Sequence, residues 1–135
     1  MSLSVAVVIL NWNGKKHLAT FLPSVVKYSA SAIIYLADNC SSDDSVAFVK
    51  EHFPTVKLIQ NSDNGGFAKG YNLALKELTE DIFVLLNSDV EVSKNWIEPI
   101  LDRMENDPSI SIAQPKIKSY REKEYFEYAG AAGGY

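Results

Sequence analysis

The triplet Asn87-Ser88-Asp89 follows directly on the apolar run Ile82 to Leu86. A carboxamide and a carboxylate two residues apart at the end of a strand suit a hard cation such as Mg2+ or Mn2+. Such an ion takes only one or two protein carboxylates when phosphates and water complete its shell. Asp89 is the leading candidate ligand, and Glu91, already moving into the next loop, is a weaker one. The same triplet could equally be an Asx-type turn that ends the strand. Asp38-Asn39 closes a second apolar run. Its oxygens could accept from a base N–H or a sugar hydroxyl, or could cap the helix that follows. In Asn64-Gly65-Gly66-Phe67-Ala68-Lys69-Gly70-Tyr71-Asn72, two glycines before a helix permit close backbone approach, centred on Gly66, and Lys69 adds a positive charge for an anion. The stretch matches neither the Walker-type nor the dinucleotide glycine fingerprint. Asn11, Trp12 and Asn13 end the first apolar run, and the Trp12 ring could lie against a flat base or simply pack.

These residues need elements to hold them. Ser4 to Leu10 is a nearly continuous apolar run, the pattern of a strand buried on both faces of a parallel sheet. Leu18, Phe21, Leu22, Val25 and Val26 recur at helical spacing from Gly14 to Tyr28, with Pro23 expected to bend or divide that helix. Ala32 to Ala37 reads as a second strand, and Ser41-Ser42-Asp43-Asp44 as N-cap material for a helix to about Phe53. Val56 to Gln60 is a third strand; Phe67, Tyr71, Ala74 and Leu78 share one face of the helix after it. Asp81 to Leu86 is a fourth strand, followed by a helix with Ile97, Ile100, Leu101 and Met104 on its buried side. Ile110 to Gln114 is a candidate fifth strand. Tyr120 to Tyr128 alternates charged and aromatic residues in the manner of an edge strand. Four strand–helix units imply an α/β fold, a three-layer Rossmann-like parallel sheet. Ligands of such sheets sit beyond the carboxyl ends of the strands, so the four polar clusters there should converge on one crevice.

Composition narrows the chemistry. The 135 residues and 47% hydrophobic content suit one globular domain. The net charge of −4 and the lack of a Lys/Arg cluster argue against a polymeric nucleic acid partner. An anionic ligand would therefore be met locally, by backbone N–H groups, a lysine or a cation. No apolar run reaches the roughly 18 residues of a membrane span, and no leader is legible, so a cytoplasmic setting is the default expectation. Cys40 is the only cysteine, which excludes an internal disulfide and reads as a buried thiol. His17 and His52 stand without a nucleophile or metal-spaced partner and read as surface or packing residues.

Taken in order, Val7 to Gly14, Asp38-Asn39-Cys40-Ser41, Asn64 to Asn72 and Leu85 to Val90 resemble the motifs of the family-2 glycosyltransferases of GT-A fold. The likeness runs from about Val5 to Gln114. It is nearest to bacterial members similar to rhamnosyltransferases. The resemblance implies a donor made of a nucleoside diphosphate and a sugar, with Asn11, Trp12 and Asp38 near the base and ribose. Asn13, Asn39, Gly66, Lys69, Asn87 and Ser88 complete the candidate donor contacts. Asp89 would be the metal-binding last acid of the family's Asp-x-Asp motif, from which this chain departs by carrying Asn87 first. The implied reaction is inverting transfer to a hydroxyl of a saccharide or lipid-linked acceptor, in cell-wall or polysaccharide synthesis, at the inner face of a membrane or free in the cytoplasm.

The resemblance further implies that such domains continue for about another hundred residues, carrying an acidic base and the acceptor pocket. The base is thus expected beyond Tyr135, and Glu122, Glu124 and Glu127 are not assigned to it. The Ala129 to Gly134 tail is expected to be disordered, or Tyr120 to Tyr128 to pair with a second copy. Three rivals differ in their needs. A nucleotidyltransferase wants a glycine-rich basic loop after the first strand, of which Asn11 to Lys16 supplies only part. A flavodoxin-like signalling receiver wants adjacent acids there. A module that binds sugar nucleotides or glycans without turnover is compatible with every motif above.

Overall fold

The computed structural model describes residues 2–128. The chain divides into two compact units with the boundary between Pro99 and Ile100. The first unit contains β1 (Val5–Asn11), α1 (Lys15–Tyr28), β2 (Ile33–Asp38), α2 (Ser45–His52), β3 (Lys57–Gln60), α3 (Gly66–Leu75) and β4 (Ile82–Asn87). All four strands are parallel, in the order β3-β2-β1-β4. The expected α/β architecture is present. Its central strand, β1, is buried at every position except the half-buried Leu10, which is why that segment carries no alternation: both faces are covered.

Side chains of successive strand residues point to opposite faces. On one face Ala6 and Val8 of β1 and Tyr35 and Ala37 of β2 pack with Tyr71 and Ala74 of α3. On the other, Val7 and Ile9 are almost fully buried, as are Leu18, Leu22 and Val25 of α1 and Val49 of α2. Each such side chain is worth about 1.5–3 kcal/mol of transfer free energy, so the spacing of Leu18, Leu22 and Val25 is what commits α1 to the sheet. Two clamps fix the sheet's first strand at its start: Ser4 N–H and Oγ–H both donate to Asp81 Oδ2, at 2.8 and 2.7 Å.

Several boundaries differ from those expected. Pro23 lies inside α1 and does not divide it; next to it the Ser24 hydroxyl donates to the Phe21 carbonyl at 2.9 Å. The Ser41 to Asp44 cluster gives α2 no side-chain N-cap in the usual position. Instead Asp43, one residue earlier than the cap, accepts from the Ser45 N–H at 3.1 Å. Cys40 is exposed, not buried, because it occupies a left-handed turn position, φ 58°, between buried Asn39 and Ser41.

The second unit holds most of α4 (Glu98–Asn106) and a two-stranded antiparallel ribbon, β5 (Ile117–Lys118) with β6 (Phe126–Tyr128). The expected strand over Ile110 to Gln114 does not form: these residues pair with nothing in the sheets, and Ile112 is 88% exposed. A short apolar run supplies β propensity but no partner. Of the expected edge strand Tyr120 to Tyr128 only the last three residues pair, with a register shift at Ile117/Lys118. The Ala129 to Gly134 tail lies outside the described residues.

Candidate functional site

Register aligns the strand ends. Asn11 stands beside Asp38, Asp38 beside Gln60, and Leu10 beside Asn87, so Ser88 emerges level with Asn11. The side chains at the β1 and β2 ends form a closed polar lattice. Asn11 Nδ2 donates to Asp38 Oδ1 at 2.8 Å and to Ser45 Oγ at 2.9 Å, with Ser41 Oγ at 3.2 Å. Asn11 Oδ1 accepts from the Gly14 N–H at 3.2 Å. Gly14 must lack a side chain here, since a Cβ would fall 2.5 Å from that oxygen; the same Cβ position is 3.8 Å from Ser88 Oγ, which sets the β4 turn beside the β1–α1 turn. Asp38 accepts in addition from the Ser41 N–H at 2.9 Å and the Ser41 hydroxyl at 2.6 Å.

Asn11 and Asp38 are each 1% exposed. The expectation that Asp38 offers its oxygens openly to the crevice therefore needs correction: three donors from the protein already hold this carboxylate, and it orders the rim before it reads anything. It is not a simple helix cap either, because its partners span β1 and the β2–α2 turn. Asn39, 2% exposed, is likewise occupied. Its Nδ2 donates to the Gly66 carbonyl at 3.1 Å, and its Oδ1 accepts from Asn61 Nδ2 at 2.7 Å.

The rim residues are more open. Trp12 is 58% exposed, which leaves a flat indole face at the mouth. Asn13, at φ 50°, accepts through Oδ1 from the Ser42 and Asp43 N–H groups at 2.8 and 3.1 Å, lacing the β1–α1 and β2–α2 turns together. Asp43 joins the lacing by accepting from the Lys15 N–H at 3.3 Å. Slight burial pushes the Asp43 carboxyl up, but the Ser45 and Lys15 hydrogen bonds and the Lys15 charge outweigh it and hold Asp43 below the usual carboxylate range. Gly66 adopts φ 81°, a conformation that favours glycine, at the entry to α3. Lys69 is not directed to an open anion position: its Nζ bonds Asp63 at 2.8 and 3.0 Å.

The β4 end contrasts with this. Asn87 and Asp89 are exposed and Ser88 half-buried, and none of the three side chains makes a hydrogen bond to another described residue. Among the described residues no three His, Cys, Asp or Glu side chains come together as a metal cage. A lone exposed carboxylate fits a cation that brings most of its ligands with it, and Asp89 is placed for that case only. Glu91 is exposed in the loop beyond, while Val92 next to it is buried and its N–H donates to Ser24 Oγ at 3.2 Å, turning the chain back toward α1. His17 and His52 are both exposed, as expected.

The profile of the family described as glycosyl transferase family 2 matches residues 6–130. The chain belongs to that family. It is 25% identical over 124 residues to the N-acetylglucosaminyl-diphospho-decaprenol L-rhamnosyltransferase of Mycobacterium tuberculosis, covering 83% of this chain and 40% of that protein. It is also 25% identical over 124 residues to the human probable polypeptide N-acetylgalactosaminyltransferase 8, covering 83% of this chain and 19% of that one. Among solved structures, the mannosyltransferase of Pyrobaculum calidifontis, in complex with GDP-Man and Mn2+, superposes with a TM-score of 0.70 at 18% identity, over 85% of this chain and 37% of the other. The parallel sheet of this chain is therefore of the GT-A type, and the chain spans about a fifth of the human protein and about two fifths of the other two.

Sequence reasoning did not single out Ser45, Asn61 or Asp63, although Asn61 to Asn64 was one of the four polar clusters expected at the strand ends. Ser45 and Asn61 are functional through what they hold, and their only signal was position, one at a helix start and one just past a strand. Gly70, in the middle of an amphipathic helix, was the stronger clue: a small residue there marks a close approach.

Proposed function

We propose that this chain forms the donor side of a metal-dependent inverting glycosyltransferase, moving a sugar from a nucleoside diphosphate to a hydroxyl of a saccharide or lipid-linked acceptor. One observation carries the reading: the ends of β1, β2 and β4 stand in register, with a saturated polar lattice on one side and the unengaged carboxylate Asp89 on the other. In this reading the Trp12 face stacks on the base, and the Asp38–Ser41 turn fixes the rim that meets base and ribose. The Gly66 turn lets the backbone approach the diphosphate, with Lys69 nearby once it leaves Asp63. Asp89 would hold a divalent cation, Mn2+ or Mg2+, jointly with the diphosphate, with Asn87 and Ser88 as donor contacts beside it; when bound, that ion supplies charge neutralisation for the departing group. The Mn2+ and GDP-Man of the mannosyltransferase complex support a nucleoside diphosphate with a cation, and the diphospho-decaprenol in the rhamnosyltransferase's name supports a lipid-linked acceptor.

Of the two carboxylates at the strand ends, Asp38 is held by three protein donors and Asp89 is assigned to the cation, so neither serves as the general base in this reading. The chain spans about two fifths or less of the relatives named above, and this reading assigns the base to none of its residues, so the 135-residue chain alone is expected to bind donor without appreciable transfer. General base catalysis contributes about 10²–10⁴-fold, so its absence leaves slow donor hydrolysis at most. We place the reaction in a bacterial cytoplasm at the inner face of the membrane, in cell-wall or polysaccharide synthesis. Among the described residues no helix is long and apolar enough to cross a membrane. The test is calorimetric titration of UDP and GDP into the chain and its Asp89→Ala variant, each with Mn2+ and with chelator. The reading expects Mn2+ to tighten binding only in the wild type. For whichever nucleotide binds, equal affinity in its four arms would remove the metal role, and no binding of either would remove the donor site.

A further inference from the structure

The opening turn of α3 is held from beneath by two buried carboxamides, neither of which is free to meet a ligand. Asn61, 8% exposed, donates through Nδ2 to Asn39 Oδ1 at 2.7 Å and to the Gly70 carbonyl at 3.2 Å. Asn39 passes the bond on, donating through Nδ2 to the Gly66 carbonyl at 3.1 Å, with Asn64 Oδ1 at 3.4 Å. Asn64 Oδ1 in turn accepts from the Gly66 N–H at 3.1 Å. The lower end of this chain is anchored in the sheet: the Asn39 N–H donates to the Asn11 carbonyl and the Asn61 N–H to the Asp38 carbonyl, both at 2.8 Å. Gly70 makes the arrangement possible, because a Cβ there would stand 2.6 Å from both terminal atoms of the Asn39 amide. The helix itself has no side-chain cap on its Gly65 N-cap residue. Beyond the local Asn64 Oδ1 bond to the Gly66 N–H, its first turn is thus fixed by a bridge from the ends of β2 and β3.

We propose that Asn61, acting through Asn39, is a positioning residue that sets the height of the Gly65-Gly66 turn over the carboxyl ends of the strands and thereby the affinity for the donor diphosphate; this rests on the donor-site reading above. The polarity of the bridge is one-way. Each amide spends its NH2 on a carbonyl or an amide oxygen, so Asn61→Asp, nearly the same shape, places an acceptor against the Asn39 oxygen and the Gly70 carbonyl. Rotating the Asn39 amide cannot repair this, because its oxygen would then face the Gly66 carbonyl. A second perturbation reaches the bridge from the helix side. Gly70→Ala raises the intrinsic helix propensity of α3 while displacing the Asn39 amide and, less severely, the far end of the Leu10 side chain, 2.8 Å from the added Cβ.

The two variants and the wild type are titrated with UDP in the presence of Mn2+, and amide hydrogen exchange is followed in each ligand-free chain. Both variants should weaken binding by about tenfold or more. Asn61→Asp should speed exchange at Phe67 to Lys69 with β1 still protected. Gly70→Ala separates positioning from mere helix stability: a stabilising role alone predicts slower exchange in α3 and unchanged affinity, whereas the bridge predicts a folded α3 with weakened binding. If Asn61→Asp fails to fold, Gly70→Ala decides. Unchanged affinity in Gly70→Ala, or in a folded Asn61→Asp, overturns the positioning role while leaving the donor site standing. A wild type that binds no nucleoside diphosphate overturns both.

Discussion

The β1–β2 side of the crevice and the β4 side are built on opposite principles. At the first, Asn11, Asp38 and Asn39 are buried and every polar group named above is engaged with another part of the protein. At the second, the side chains of Asn87 and Asp89 stand in solvent with no hydrogen bond to another described residue. Buried polar groups must be satisfied or they destabilise the fold, so the first side is rigid by necessity and its shape exists before any ligand arrives. An exposed carboxylate costs nothing to leave unpaired, so the second side can wait for a cation. Preorganisation and vacancy are divided between two turns that stand on neighbouring strands.

The largest expected effect breaks the rigid side. Asp38→Ala leaves Asn11 Nδ2 and the Ser41 N–H without their acceptor, and should cost about 2–4 kcal/mol of stability, read as a lower urea midpoint, with weaker donor binding alongside. A loss of affinity at unchanged stability would show that the lattice is not under load. Next in size is an alkaline transition. Burial pushes the Tyr71 hydroxyl up to about 12, and its Oη donates to the Leu86 carbonyl at 2.9 Å. A group whose folded pKa is raised stabilises the fold fully below its unfolded value and loses that contribution as pH climbs toward the folded one. Tyr71 should therefore contribute a fall of about 2–3 kcal/mol between about pH 10 and 12, and Tyr71→Phe should remove that share, leaving the part due to Tyr35, which burial and Glu80 also push up to about 12.

On the open side, Asp89→Ala should leave the unfolding free energy within about 0.5 kcal/mol of the wild type while removing the Mn2+-dependent part of diphosphate binding. A destabilised Asp89→Ala would mean that the turn, not a ligand, had needed the carboxylate. The smallest effect sharpens the contrast at its border. Asp63→Asn releases Lys69 from an exposed ion pair, 2.8 Å long, worth no more than about 1 kcal/mol. Diphosphate binding should tighten by a fewfold, with steeper salt dependence, and an unchanged isotherm would show that Lys69 has no part in the site.

The sequence made the four parallel strands legible because their apolar runs and polar terminations repeat, and burial on both faces leaves little ambiguity in Val5 to Ile9. It also located the strand-end clusters, since an open parallel sheet presents its ligands at one edge. What it could not distinguish was a polar residue that meets a ligand from one that meets another polar residue. Asn11, Asp38 and Asn39 look in sequence like Asn87 and Asp89, and only the packing around Gly14 and Gly70 reveals that the first three are enclosed. Cys40 was misjudged for the same reason: apolar character suggested burial, while the turn's left-handed geometry turned the side chain outward. The region beyond Pro115 was hard to read because its pairing, two residues against three, is too short to impose a period.

The Ser4–Asp81 clamp and the β1–β4 ladder behind it join residues 77 positions apart. During synthesis β1, β2 and β3 can pair and close the Asn11–Asp38 lattice long before Ile82 leaves the ribosome, and the gain from β4 comes only after that long loop has been closed. Until then one flank of β1 is an unpaired parallel edge made of Val5 to Ile9, an adhesive surface in a crowded cell. The strand that delivers Asp89 therefore also ends the chain's most vulnerable interval, so a lesion that slows β4 docking should surface first as lost soluble yield, before any assay of catalysis could register it.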